Sequence, residues 1–216
     1  MTVANSKGLS RFQVELANLF FSLPESVGFL LAGGGALIAQ GLIQRETDDL
    51  DFFGSRKAGD VATAGDALVA ASTRLGWVVE TVRAGDEYRR IKIVRAGEEV
   101  YIDLAIDSPP IKAPTVTIIG PSFTGFELAV HKTLALFGRA EPRDFSDLHA
   151  LHQHIDRGEI LTAAMQADTG FDLGVFTQML RSHRRLADED FPSAPSVSEL
   201  RTYFDAWADN LGGPPT

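Results

Sequence analysis

Cysteine is missing from the 216-residue chain, so a disulfide framework and a thiolate-bound metal or redox centre are both excluded. Long apolar runs are missing too. The longest, Val27–Leu42, is interrupted by Gly33, Gly34 and Gly35, short of the ~20 unbroken residues that a membrane helix needs. The N-terminus shows no basic start followed by an apolar block and a small-residue cleavage site. A soluble cytoplasmic protein with no membrane partner is therefore expected. Basic residues are in deficit: 20 Lys+Arg against 29 Asp+Glu leave a net charge of −9, which at first disfavours a nucleic-acid partner.

The distribution of charge changes that picture. Acids crowd the tail from Ala187 to Thr216, where Arg201 is the lone base. Between Val82 and Arg95 the sign reverses, because Arg83, Arg89, Arg90, Lys92 and Arg95 outnumber Asp86 and Glu87. An anionic ligand could still find a basic face. At 44% hydrophobic, a chain of this length buries roughly 70% of its unfolded surface, enough for a core without covalent staples.

Apolar periodicity divides the chain into two textures. Phe12, Leu16, Leu19, Phe20 and Leu23 recur at helical spacing, and that helix stops at Pro24. Val27–Ala32 reads as a buried strand entering the glycine turn, Ala36–Gln44 as a short helix, and Leu50–Phe53 as a second strand. Asp60–Leu75 is helical in period, with Gly76 as its C-terminal stop. Three strands are expected at Trp77–Val82, Tyr88–Val94 and Val100–Ile106, the last two joined by an Ala96-Gly97 turn. After the short run Val116–Ile119 the period is helical, over Phe126–Phe137, Pro142–Ile155, Ile160–Gln166, Leu173–Leu186 and Val197–Leu211, with a frayed end at Gly212–Thr216. The expected class is α+β: a mixed β-sheet core with flanking helices over residues 1–120, then a C-terminal helical bundle over 121–216.

Leu31–Phe53 carries the most chemistry. A strand, a glycine turn and a helix N-terminus form a site for anions, since free backbone N–H groups and the helix dipole converge there. A dinucleotide fingerprint would need a glycine where Ile38 stands, and a P-loop needs a Gly-Lys-Ser/Thr ending that the segment lacks. The remaining reading couples Gly34-Gly35 to Asp49-Leu50-Asp51. Residues i and i+2 of a strand project to one side about 6.6 Å apart, so two carboxylates would share a face while Leu50 and Phe52 turn to the core. Such a pair suits magnesium. Asp103, mid-strand with no adjacent basic residue, is the candidate third ligand; a strand-edge acid is the alternative.

Other side chains admit two readings each. Lys132 lies in line with Leu128, Ala129, Ala135 and Leu136 and either meets an anion or snorkels from the core's edge. Asp144 and Asp147 stand in the first turns of a helix that Pro142 opens, where dipole compensation is the plainer role. His149, His152 and His154 read as solvated histidines, because 154 points away from the other two. Arg90 and Lys92 alternate onto one strand face beside Arg89, either as a solvated face or as a contact for an anionic ligand. Arg181, Arg184 and Arg185 form a second basic cluster at a helix C-terminus.

The pattern resembles the AbiEii/AbiGii-type nucleotidyltransferase toxins, including the mycobacterial MenT-like proteins. The resemblance lies in Gly34-Gly35, in Arg45-x-Thr47-x-Asp49-x-Asp51, in Lys132 and in Arg143-Asp144-x-x-Asp147-Leu148, and it spans Leu31–Leu151. Ala36 departs from it, standing where the family usually has Ser or Thr. The resemblance implies a nucleotidyltransferase core whose helical C-terminal domain completes the active site. Asp49, Asp51, Lys132 and Asp144 would be catalytic; Asp49, Asp51 and Asp103 would hold two Mg2+ or Mn2+ ions. Gly34, Gly35, Ala36, Arg45, Lys132 and Asp147 would line the nucleotide site. It further implies transfer of a nucleotide from a nucleoside triphosphate, CTP or UTP, to the 3′ end of tRNA, with Arg89, Arg90 and Lys92 as tRNA contacts. Phosphorylation at Thr47 and a cognate antitoxin are implied as regulation. A small-molecule, antibiotic-type nucleotidyltransferase and a catalytically silent nucleotide-binding module stay open as alternatives.

Overall fold

The computed structural model of the protein describes residues 8–192 and 195–212; the expected fraying beyond Gly212 lies outside them. The chain divides into two compact units, Met1–Glu127 and Leu128–Thr216. The division falls seven residues after the expected 120/121 boundary, inside a helix.

In the first unit, α1 (Arg11–Ser22) opens with a capping box. Ser10 Oγ accepts from the Gln13 backbone N–H at 3.1 Å, and Gln13 Oε1 accepts from the Ser10 N–H at 2.8 Å. Phe12, Leu16 and Phe20, the stripe expected from spacing, are fully buried. β1 (Phe29–Ala32) begins two residues later than the apolar run suggested, because Gly28 turns the chain at φ +93 and leaves Val27 exposed. α2 (Gly33–Ala39) starts on the glycines themselves and is shorter than expected at its far end. Gly41, at φ +71, donates to Ile38 O, and Leu42 N–H donates to Leu37 O, a helix stop that a left-handed glycine makes cheap.

β2 (Asp49–Ser55) and α3 (Val61–Arg74) follow, α3 capped by the Asp60 carboxylate on Thr63 N–H. Next come β3 (Val78–Arg83), β4 (Tyr88–Arg95) and β5 (Glu98–Asp107). Ala96 and Gly97, at φ 51 and 86, make the tight turn between β4 and β5, with Arg95 paired to Glu98. The run Val116–Ile119 is no single strand. Val116 lies in β6 (Thr115–Thr117), Ile118 and Ile119 turn the chain, and β7 (Gly120–Ser122) begins on Gly120 at φ +136.

Among the described residues these strands form one seven-stranded sheet in the order β3-β4-β5-β2-β1-β7-β6. β2 runs parallel to β5 and antiparallel to β1, and β4 runs antiparallel to β5. The register sets Asp51 between Asp103 on one side and Ala32 on the other. A slip by one residue would turn the β2 acids into the core and Leu50 and Phe52 out of it. That slip is opposed by Phe52, fully buried and stacked on Phe20 at 4.3 Å.

α4 (Gly125–Gly138) carries the chain into the second unit. There α5 (Pro142–Leu151), α6 (Arg157–Ala167), α7 (Leu173–Arg181) and α8 (Val197–Gly212) surround a core that includes Leu136, Phe145, Phe176, Leu180, Phe204 and Trp207. α5 ends before Ile155, and the expected helix to Leu186 tightens at Arg181 into a 3-10 turn, Ser182–Arg185. No helix among the described residues is long and apolar enough to cross a membrane.

Candidate functional site

The acids of β2 alternate with core residues as expected: Asp49 and Asp51 are half-buried, Leu50 and Phe52 fully buried. β5 lies parallel beside them, and Asp103, directly opposite Asp51, is only 6% exposed. One carboxylate oxygen from each of Asp49, Asp51 and Asp103 lies within 4.8 Å of the others. At an effective dielectric of about 20, two full charges at such a separation repel by about 3 kcal/mol. Solvent at the two half-buried acids lowers that figure. Three hard oxygen donors in one place suit a divalent cation of the magnesium or manganese type.

Asp49 and Asp103 are held by neighbours. Thr47 Oγ1 donates to Asp49 Oδ1 at 2.7 Å, and the Thr47 carbonyl accepts from buried Gln13 Nε2 at 2.6 Å, tying the start of β2 to α1. The Tyr88 hydroxyl donates to Asp103 Oδ1 at 2.7 Å, and Arg90 Nη1 donates to Asp103 Oδ2 at 3.0 Å. The expectation that no basic residue accounts for Asp103 is thereby corrected. The base sits on the next strand, where the antiparallel register pairs Arg90 with Asp103. Burial raises the Tyr88 pKa, and the bond to Asp103 raises it further, so the hydroxyl remains a donor. Burial works against the Arg90 charge, but the Tyr88 hydroxyl and the Asp103 and Asp49 carboxylates outweigh it and raise its pKa. The guanidinium also lies over the Tyr101 ring, 4.6 Å from its centre.

The glycine turn closes against these acids. Gly33 has φ +57, and a Cβ there would lie 1.8 Å from Asp51 Oδ2. A Cβ on Gly34 would lie 2.8 Å from Arg45 Nη2 and 3.2 Å from Thr47 Oγ1, and one on Gly35 would lie 3.0 Å from Leu50 Cδ2. Sequence reasoning selected Gly34 and Gly35 and passed over Gly33, the glycine that abuts an acid; its place at the strand–helix junction was the available signal. Arg45 Nη1 also donates to the Glu46 carbonyl at 2.8 Å. Ala36 is fully buried, so its methyl group packs in the core.

The cations of β4 are paired within their unit. Arg89 lies on the opposite face from Arg90 and Lys92, against Gly65 of α3, with Nη1 2.6 Å from Asp66 Oδ1 and 3.2 Å from the Ala62 carbonyl. Lys92 Nζ lies 2.6 Å from Glu99 Oε2, and that bond raises its pKa despite partial desolvation.

In the helical unit, Lys132 is buried and meets two carboxylates, Asp144 Oδ1 at 3.1 Å and Asp147 Oδ2 at 2.7 Å. The anion it requires is supplied from α5. Arg139, which sequence reasoning did not select, donates through Nε to Asp144 Oδ2 at 3.0 Å. Burial pushes the Asp144 carboxyl up, but Lys132 and Arg139 together hold it below the usual carboxylate range. The histidines correct another expectation: His149 is buried and His152 half-buried, with His152 Nδ1 2.7 Å from the Tyr203 hydroxyl, and only His154 is exposed. Desolvation lowers the pKa of both His149 and His152, that of His152 to about 3. Arg181 and Arg184 pair with Asp209 and Asp205 of α8.

The fold is that of the nucleotidyltransferases. The crystal structure of JHP933 from Helicobacter pylori shares it at 18% identity, with 94% of this chain and 93% of that one covered and a TM-score of 0.56. A Helicobacter pylori protein provisionally assigned as a nucleotidyltransferase shares it at 17% identity over 94% and 96%, with a TM-score of 0.59. At such identities the likeness is one of fold. No curated protein matches the sequence. The family follows from the sequence profile described as nucleotidyl transferase AbiEii toxin, type IV toxin–antitoxin system, which matches residues 16–215. The chain belongs to that family.

Proposed function

We propose that the protein is a divalent-metal-dependent nucleotidyltransferase toxin that adds a pyrimidine nucleotide, from CTP or UTP, to the 3′ end of tRNA. The observation that carries the catalytic part is the convergence of Asp49, Asp51 and Asp103 within 4.8 Å beside a glycine turn. In the reaction the acceptor's 3′ oxygen bonds to the α-phosphorus, the α–β phosphoanhydride bond breaks, pyrophosphate leaves, and the hydroxyl proton passes to solvent. Asp49, Asp51 and Asp103 would hold two Mg2+ or Mn2+ ions. Such ions, when bound, lower the pKa of an attacking hydroxyl and neutralise the triphosphate.

The chain's own residues orient and open the site. Thr47 fixes one oxygen of Asp49, Tyr88 fixes one of Asp103, and side-chain-free Gly33, Gly34 and Gly35 let backbone and phosphate approach closely. For Arg45, Lys132, Asp144 and Asp147 the family pattern implies nucleotide-binding or catalytic roles, tested by substitution. Phosphorylation at Thr47 would take the hydroxyl from Asp49 and add about −1.5 to −2 charge beside the acids, a route to silencing. Acting on tRNA in the cytoplasm, the toxin would block translation until its antitoxin intervenes.

Incubation with each triphosphate, magnesium and purified tRNA, followed by sequencing of the 3′ ends, tests the whole reading. Extended ends that vanish with Asp49→Ala are expected; intact ends with every triphosphate refute the tRNA acceptor. One observation favours a small-molecule acceptor as the second reading: Arg89, Arg90 and Lys92 each already have an acidic partner. Label that enters a small product and not RNA would establish it.

A further inference from the structure

Arg90 deserves a role other than contact with nucleic acid. Its guanidinium bonds Asp103 Oδ2 at 3.0 Å, stacks over Tyr101, and belongs to the strand neighbouring the acids. Tyr101 in turn is the register partner of Asp49. Asp103, 6% exposed, is the most buried of the three acids, the position where an uncompensated carboxylate costs most. We infer that Arg90 is a resident counter-ion of the acidic cluster, a built-in cation that holds Asp103 in place and competes electrostatically with divalent ions for the same carboxylates.

This role presupposes the metal site proposed above. It explains how three carboxylates within 4.8 Å stay together when no ion is bound: Arg90 offsets one charge and the Tyr88 hydroxyl satisfies the other oxygen of Asp103. Both bonds orient Asp103, but they act differently on an incoming ion. Tyr88 is neutral and repels nothing. Arg90 carries a full charge that a divalent ion must approach, so it lowers metal affinity while stabilising the metal-free protein. Its side chain is 34% exposed, and solvent screening keeps the effect well below the unscreened Coulomb value. Arg90 is thus a positioning and affinity-setting residue, not a catalytic one.

The test is direct Mn2+ binding to the full chain, followed by electron paramagnetic resonance, with thermal unfolding with and without Mn2+ alongside. Arg90→Gln is expected to bind Mn2+ about tenfold tighter than the wild type, to unfold at lower temperature without metal, and to gain more from added Mn2+. Arg90→Lys, which keeps the charge, should bind Mn2+ within about twofold of the wild type. Should Arg90→Gln unfold without metal, added Mn2+ restores its circular dichroism; failure to restore it overturns the counter-ion role. Equal or weaker Mn2+ binding by a folded Arg90→Gln also overturns it. A wild type that binds no Mn2+, or whose binding survives Asp51→Asn, refutes the metal site itself, and the Arg90 role with it.

Discussion

Gly33 and Asp51 compete for one space: a methyl group on Gly33 would sit 1.8 Å from Asp51 Oδ2, and the backbone at Gly33 has φ +57. The end of β1 and the middle of β2 can approach this closely only without a side chain at the junction. Gly33→Ala therefore incurs about 1–2 kcal/mol of left-handed backbone strain and pushes Asp51 from its neighbours. The expected outcome is a lower melting temperature and loss of nucleotide transfer by at least about a hundredfold. A fully active Gly33→Ala would show that Asp51 does not need its present position.

The acidic cluster trades stability for function. Asp51→Asn relieves like-charge repulsion, so its unfolding free energy is expected to stay level or rise by up to about 1 kcal/mol, while transfer falls by at least about a hundredfold. Urea denaturation and a labelled-triphosphate assay measure the two sides. Loss of stability together with activity would mark the acids as structural.

Thr47 links α1 to Asp49 through Gln13. Thr47→Glu, which places a carboxylate beside three others, is expected to abolish transfer. Thr47→Val removes only the hydroxyl and should cost about fivefold, in keeping with about 1 kcal/mol for one hydrogen bond. Wild-type rates for Thr47→Glu would exclude phosphorylation at this position as a silencing route.

Lys132 separates two fully or nearly fully buried carboxylates. Lys132→Met takes the buried ammonium from both, leaving Asp144 with Arg139, and is expected to destabilise the protein by about 3 kcal/mol. Adding Asp147→Asn should return part of that loss, because one of the two carboxylate charges deprived of the lysine is removed. An additive double mutant in denaturant titration would refute the coupling.

Mild acid should weaken the helical unit through His152. Its folded-state pKa is depressed from 6.5 to about 3, so between these values the unfolded chain binds the proton and the folded one does not. Stability is full above pH 6.5 and declines as pH falls, by up to about 2 kcal/mol at pH 5. Asp144 acts only at lower pH: its folded pKa lies below 3.8, so its contribution is present above that value and lost as pH drops through the folded one. Melting curves from pH 7.5 to 5 should flatten in His152→Gln; an unchanged slope would place the acid sensitivity elsewhere.

What the sequence determined by itself is what a few neighbouring residues decide. The i, i+2 spacing of Asp49 and Asp51 around Leu50 put both acids on one face because strand side chains alternate. The stripe Phe12, Leu16 and Phe20 was legible from helical period, and Ala96-Gly97 from turn chemistry. Boundaries erred where one glycine stopped a helix, at Gly41, or where a helix tightened, at Ser182. Only the tertiary structure chose the partners. Arg90 meets Asp103 through an antiparallel register, Lys132 meets Asp144 and Asp147 through the packing of α5 on α4, and His152 loses its water to Tyr203 and Trp207 of α8. Periodicity says which way a side chain points. What it meets there depends on which distant segment folding brings alongside, and no local pattern encodes that choice.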